Sequence, residues 1–319
     1  MTALAAEVLR GHLVDEFERT NEADAGIGVG GLGRFRVNVY RQRGSVAMVV
    51  RRVPTTIPTF ESLGLPDAVR ALSEEARGLV LVTGPTGSGK TTTVAAMIDH
   101  INRTRPVNVM TIEDPIEFLF SDDVAIVSQR EVGTDTADFQ EAMRRVLRQD
   151  PDVIFIGEMR DQETVRAALS AAETGHLVVS TLHTSDAVET VNRIVDFFPS
   201  HEHHQVRIGL AASLKGVVSQ RLLERTGGEG RVPAVEVLLN TGRVADRIAD
   251  PTTPGDSIAE IVAEGAFYGM QSFDQSLFGL LRDGQVGLRE ALAAASSPHD
   301  LRLALQRGGL VAAAARPGR

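Results

Sequence analysis

Leu79-Val80-Leu81-Val82-Thr83-Gly84-Pro85-Thr86-Gly87-Ser88-Gly89-Lys90-Thr91-Thr92 is the stretch that decides how this chain is read. Leu79 to Thr83 is a short aliphatic run, as expected of a strand buried on both faces. Gly84 to Thr91 is a full match to the glycine-rich phosphate-binding loop. Such a loop wraps backbone N–H groups around phosphate oxygens, and the helix after it adds its positive end. The predicted phosphate contacts are Gly84, Pro85, Thr86, Gly87, Ser88, Gly89, Lys90, Thr91 and Thr92. Lys90 supplies a slim ammonium to the β- and γ-phosphates, and Thr91 a hydroxyl to Mg²⁺.

Composition singles out the same lysine. Of 33 basic residues, only Lys90 and Lys215 are lysine and the rest are arginine. A planar guanidinium replaces an ammonium at most surface sites but is too bulky for a phosphate cradle.

Outward from the loop, the same pattern of apolar strand and helix recurs. Val107 to Ile112 runs into Glu113-Asp114, Val153 to Gly157 into Glu158, and Leu177 to Thr181 into His183. Helical stretches are expected over 91–103, 137–149 and 161–174, with Asp161 as an N-cap and Gly175 just past a helix end. This alternation predicts an α/β fold with a parallel sheet covered by helices. In such sheets ligands bind beyond the carboxyl ends of the strands.

The flanks read differently. Residues 3–20 suggest one amphipathic helix, Gly26 to Gly33 a glycine-rich turn, and Arg34 to Val39 a strand. Arg34, Arg36 and Asn38 share one face of that strand, and Phe35, Val37 and Val39 the other. Gln42 to Ser45 reads as a hairpin turn into a strand over Val46 to Val53, and 54–59 as a linker. The expected units are 1–60, then 61–307, then a disordered tail over 308–319. Beyond residue 200 the chain reads as mainly helical, with one strand near Val235 to Leu239.

Phosphoryl chemistry needs a carboxylate to orient the attacking water and another to manage the metal. Glu113 is the best candidate for the first, with Asp114 and Glu117 as nearby alternatives, and Glu158 is the candidate for the second, holding Mg²⁺ through a water. His183 and His176, flanking the fourth strand, are candidates for sensing the γ-phosphate. Arg34 and Arg36 lie in a separate module, which suits charge delivered in trans to another copy. His201, His203 and His204 sit beside Glu202, but their spacing suits one helical face poorly, and a solvated helix start is expected.

Bulk properties narrow the class. The 319 residues are 43% hydrophobic, which supports a real core. With no cysteine there is no disulfide and no thiolate zinc site, as fits a reducing cytosol. A net charge of −9, two tyrosines and no tryptophan argue against a broad nucleic-acid surface. No apolar run reaches the roughly 18–20 residues of a membrane span. A soluble cytoplasmic protein is expected, with no direct nucleic-acid partner.

Together these motifs resemble the type IV pilus retraction ATPases (PilT), within the type II/IV secretion ATPases. The matching stretches are Gly84–Thr93, then Thr111-Ile112-Glu113-Asp114-Pro115-Ile116-Glu117 (the Asp box), then Asp150 through Gly157-Glu158-Met159-Arg160-Asp161. They continue with Ala172-Glu173-Thr174-Gly175-His176 through His183-Thr184 (the His box), and Gly269-Met270-Gln271-Ser272-Phe273-Asp274. Arg34-Phe35-Arg36-Val37-Asn38 also looks like that family's N-terminal strand.

The resemblance implies a RecA-like P-loop domain behind a small, truncated PAS-like α+β domain and followed by C-terminal helices. It implies a homo-hexamer that hydrolyses ATP with Mg²⁺ between subunits, with N-terminal arginines completing the site. It further implies pilus retraction through an inner-membrane platform protein, with the pilin filament moved indirectly. The protein would then dock peripherally at the cytoplasmic face of the inner membrane. A type II secretion, pilus-assembly or DNA-uptake ATPase, or a nucleotide-binding scaffold with reduced turnover, stays open beside it.

Overall fold

The computed structural model describes residues 2–228 and 230–310. Two sheets organise the chain. The first has three antiparallel strands in the order β1 (Glu22–Val29), β2 (Gly33–Gln42) and β3 (Ser45–Arg52). Val37 and Val39 point from β2 onto the helices Thr2–Val8 and His12–Thr20, where Leu9 and Phe17 complete a small core. Arg34, Arg36 and Asn38 take the opposite face, as the period of two requires. Arg43 (φ 51°) and Gly44 (φ 77°) are both left-handed, the backbone of a two-residue hairpin turn.

The second sheet has seven strands. They are β4 (Gly78–Thr83), β5 (Asn108–Glu113), β6 (Ile126–Glu131), β7 (Val153–Ile156), β8 (Leu177–Leu182), β9 (Leu214–Glu224) and β10 (Arg231–Leu239). Their order is β10-β9-β4-β8-β7-β5-β6, all parallel except β10, which pairs antiparallel with β9. In β4, Leu79 and Leu81 pack into the cluster with helices Phe139–Val146, Gln162–Glu173 and Ala187–Asp196. Val80 and Val82 pack into the other cluster, under helix Lys90–Thr104. Both faces are covered, so the strand is continuously apolar. A third cluster seats C-terminal Phe273 and Leu277 against Leu223 and Val232 of the β9–β10 pair.

Several expectations from the sequence need correction. The helix expected over 3–20 is two, separated at Gly11, which takes a φ of 58°. Gly26 and Gly28 are not in a turn but inside β1, and the turn is confined to residues 30–32. Besides β1, two strands were not expected from the sequence. β6 is an edge strand bonded only to β5, so only Ile126 and Val127 in it are apolar. β9 carries Ser219 and Gln220 fully buried, which breaks the aliphatic pattern. The last described helix is Pro298–Arg307; the tail expected over 308–319 falls outside the described residues from 311 onward.

Candidate active site

The phosphate loop leaves β4 at Thr83 and enters helix Lys90–Thr104. Gly84 has a φ of 141°, and a Cβ there would strike the Gln220 carbonyl and lie 2.6 Å from Ser88 Oγ. Only glycine lets the loop pass so close to β9. Lys90 is 8% exposed, and its Nζ donates to the Gly84 and Pro85 carbonyls at 2.8 and 3.1 Å. Burial pushes its pKa down, opposed by the charges of Glu158 and Glu117.

Glu113 ends β5 and is 4% exposed. Its Oε1 accepts from Thr111 Oγ1 at 2.7 Å and from Gln129 Nε2 at 3.0 Å. Its Oε2 faces the Glu117 amide at 3.5 Å. Burial raises its pKa, and these donors pull it back. The result is a fixed carboxylate with heightened proton affinity, the property wanted of a general base.

Glu158 follows β7. Gly157 before it stands where an aspartate is common in such motifs. A Cβ at Gly157 would lie 3.2 Å from the Ile112 carbonyl and 3.4 Å from Glu113 Cα. The missing side chain thus lets the ends of β5 and β7 come together. Glu158 Oε2 pairs with Arg160 Nη2 at 3.0 Å, and Oε1 with His183 Nε2 at 3.2 Å. His183 Nδ1 lies 3.4 Å from Lys90 Nζ. An ammonium can only donate, so Nδ1 accepts and Nε2–H points at Glu158. Lys90, His183, Glu158 and Arg160 form one chain of alternating donors and acceptors. Arg160 also reaches Asp114 at 3.3 Å, and the bond to Glu158 leads the effects that raise its pKa.

These groups line one cleft of about 430 Å³, with Thr86, Gly87, Gly89, Thr91, Thr92, Glu113, Asp114, Glu117, Glu158, Arg160 and His183 in its wall. Leu222 and Arg231 close it from the β9–β10 side. Neither had a sequence signal, because each arrives from more than a hundred residues downstream. Arg160 stood within a recognised motif with no role attached. Thr91 and Glu158 offer hydroxyl and carboxylate oxygens only, the donor chemistry that suits Mg²⁺ with waters and phosphate completing its shell. Among the described residues no three acidic or histidine side chains gather as a metal cage, the 201–204 histidines included.

Three expected residues are not brought to the cleft. His176 precedes β8, at the end of the sheet opposite the loop, and its Nδ1 lies 3.0 Å from the Ala171 carbonyl. Six strand residues, roughly 20 Å, separate it from His183. Arg34 Nη2 pairs with Glu131 Oε2 of the same chain at 2.9 Å. Arg36 Nη1 lies 3.6 Å from Glu117 Oε1, also of the same chain. Arg34 is therefore tied to β6 and Arg36 to Glu117 of the Asp box, and neither arginine itself lines the cleft.

Comparison with known proteins is specific. The family model described as type II/IV secretion system protein matches residues 34–254. The type IV pilus retraction ATPase PilT of Pseudomonas aeruginosa is 44% identical over 301 residues, 93% of this chain and 86% of that protein. A twitching motility protein of Neisseria gonorrhoeae is 44% identical over 89% of this chain and 75% of its own length. Among solved structures, the pilus retraction motor PilT with bound ADP superposes with a TM-score of 0.87 at 47% identity, covering 95% of this chain and 85% of that one. The Legionella pneumophila ATPase DotB gives a TM-score of 0.75 at 29% identity, covering 92% and 83%.

Proposed function

The chain belongs to the type II/IV secretion system protein family, among its PilT-like ATPases, and on that premise we propose that it hydrolyses ATP to retract type IV pili. The observation that carries the reading is the single cleft in which Lys90, Glu113, Glu158 and His183 converge from four strand ends. In this proposal the loop amides and Lys90 hold the β- and γ-phosphates. Glu113 takes the proton of the attacking water, which its burial equips it to do. Thr91 directly and Glu158 through a water would hold Mg²⁺, which neutralises phosphate charge. His183 spans Lys90 and Glu158 and so senses whether a γ-phosphate draws on the lysine.

The working form is proposed to be a homo-hexamer, with residues 1–60 as a PAS-like module closing a neighbour's site and 61–307 as the ATPase unit. Arg36 has the looser attachment, a 3.6 Å pair with both side chains more than 40% exposed, and is the arginine suited to reach across. Arg34, held by the buried Glu131, is not. Force would pass to an inner-membrane platform protein and only through it to the filament. No helix among the described residues is long and apolar enough to cross a membrane, so a peripheral position at that membrane is proposed.

The test is Glu113→Gln, assayed for both fluorescent-nucleotide binding and phosphate release. Retained binding with lost release is expected. Normal release removes Glu113 from the role of base. Sizing of the same samples with nucleotide checks the hexamer.

A further inference from the structure

The Asp box is tied down by one strand that carries no recognised motif. β6 lies beside β5 in parallel register, with Gln129 opposite Thr111 and Glu131 opposite Glu113. Two residues apart on one strand, Gln129 and Glu131 share a face. Gln129 Nε2 donates to Glu113 Oε1 at 3.0 Å and to the Phe118 carbonyl at 2.9 Å, while its Oε1 accepts from the Phe120 amide at 2.9 Å. Glu131 Oε2 accepts from the Ile116 amide at 3.1 Å, and its Oε1 from Thr134 Oγ1 at 3.3 Å. Backbone groups at Ile116, Phe118 and Phe120 are thus fixed by two side chains. The intervening Glu117 amide is left facing Glu113.

Glu131 has one more partner, and it comes from the N-terminal sheet. Arg34 Nη2 lies 2.9 Å from Glu131 Oε2, the oxygen that also holds Ile116, as a charge pair without the alignment of a hydrogen bond. The Glu131 side chain is 4% exposed, so this ion pair is shielded from water on the acid's side. The neighbouring strand β1 leaves room for it at Gly26. A Cβ at Gly26 would strike Glu131 Oε1 and lie 2.8 Å from Arg34 Nη2. Gly28, two residues on, would meet nothing within 4 Å. Gly26 is therefore the position at which the N-terminal sheet makes room for Glu131 of β6.

We propose that Gln129 and Glu131 are positioning residues for Glu113, and that the Arg34–Glu131 pair makes the placement of that carboxylate depend on how the N-terminal sheet is seated. The proposal rests on the reading of Glu113 as the base. It replaces, for Arg34, a role at the phosphates by a role at the water-activating side. A displaced N-terminal sheet would loosen Ile116, then Glu117, then Glu113, and would leave the phosphate loop untouched. Nucleotide binding and turnover would then be set by different parts of the molecule.

The full-length protein carrying Gly26→Ala is the sharpest test, because the added methyl meets only the ends of two side chains and alters no charged group. Expected is a fall in kcat of about 10–100-fold, the cost typical of a misplaced catalytic group, with KM for ATP within about twofold and unchanged particle size. Gly28→Ala is expected to match the parent. Glu131→Gln keeps volume and an acceptor, serves if Gly26→Ala fails to fold, and should show the same split. The double variant should lose no more than the worse single one, since both act on one contact. Parental kcat in Gly26→Ala, a rise in KM alone, or loss of particle size with activity overturns the proposal. Glu113→Gln run in parallel separates the two readings. If it is inactive while Gly26→Ala is normal, only the positioning role falls; if it still hydrolyses ATP, the base assignment falls.

Discussion

Two cavities among the described residues each hold a buried carboxylate, and they are not alike. The cleft beyond β4, β5, β7 and β8 holds Glu113. The larger one, about 570 Å³, lies between helix Ala187–Asp196, helix Ile258–Glu264 and β10, and holds Glu236. Burial raises both carboxyls, Glu236 to about 7. Glu236, however, accepts from the Ala187 amide at 2.8 Å and so caps a helix N-terminus. Asp186, Glu189 and Asp196 line the same cavity, offset by Arg193, and no glycine-rich loop lines it. Glu113 is oriented by a hydroxyl and a carboxamide toward a cleft that also contains Lys90, Glu158 and His183. A large cavity and a perturbed acid are therefore no site by themselves; the electrophile-holding groups opposite the acid make one.

The contrast can be broken most forcefully at Glu113. Glu113→Gln is expected to lose about 10²–10⁴-fold in phosphate release with nucleotide binding intact. Lys90→Ala removes a principal charge from the cradle, and a loss of about 10²–10³-fold in turnover is expected, with weakened binding by calorimetry. Because its carboxyl is raised, Glu113 loses its acceptor role as pH falls. The pH profile of kcat should show an acid limb above the ordinary glutamate range, and the limb should vanish in Glu113→Gln.

Glu236→Gln tests the other cavity and should leave turnover at the parental value. Its effect is on stability. A carboxyl raised in the fold favours the folded state below its unfolded pKa, and that contribution is lost as pH rises through about 7. Thermal melts should therefore show Glu236→Gln more stable than the parent at pH 8, by on the order of 1–3 kcal/mol, with the gain gone near pH 4. The smallest effect belongs to Arg36→Ala. Its exposed pair with Glu117 contributes about 0–1 kcal/mol to a single chain, so melting should barely change. Turnover of the assembled protein is where a loss would appear.

What was legible in the sequence was what is local. The phosphate loop is contiguous, and its strand and helix flank it directly. Glu113, Glu158 and His183 stand at the ends of apolar runs whose length and composition announce buried strands. The illegible part is what depends on packing. β6 is mostly polar at the sheet edge, yet that polarity holds the Asp box. Gly26 in isolation suggests a turn, and only the approach of Glu131 and Arg34 explains it inside a strand. His176 shares a motif with His183, but a strand between them sends the two to opposite ends of the sheet. Leu222 and Arg231 reach the cleft through an antiparallel pair whose first strand is interrupted by buried polar residues.

The order of the large sheet has a mechanical meaning. β4, which bears the phosphate loop, has two strands beyond it on one side and four on the other, whereas Glu113 on β5 stands one strand from the rim. Grip and trigger are thus mounted on ground of different stiffness. In the proposed mechanism the interior would hold the fuel steady, and the margin, where another molecule can lean, would decide when it is spent.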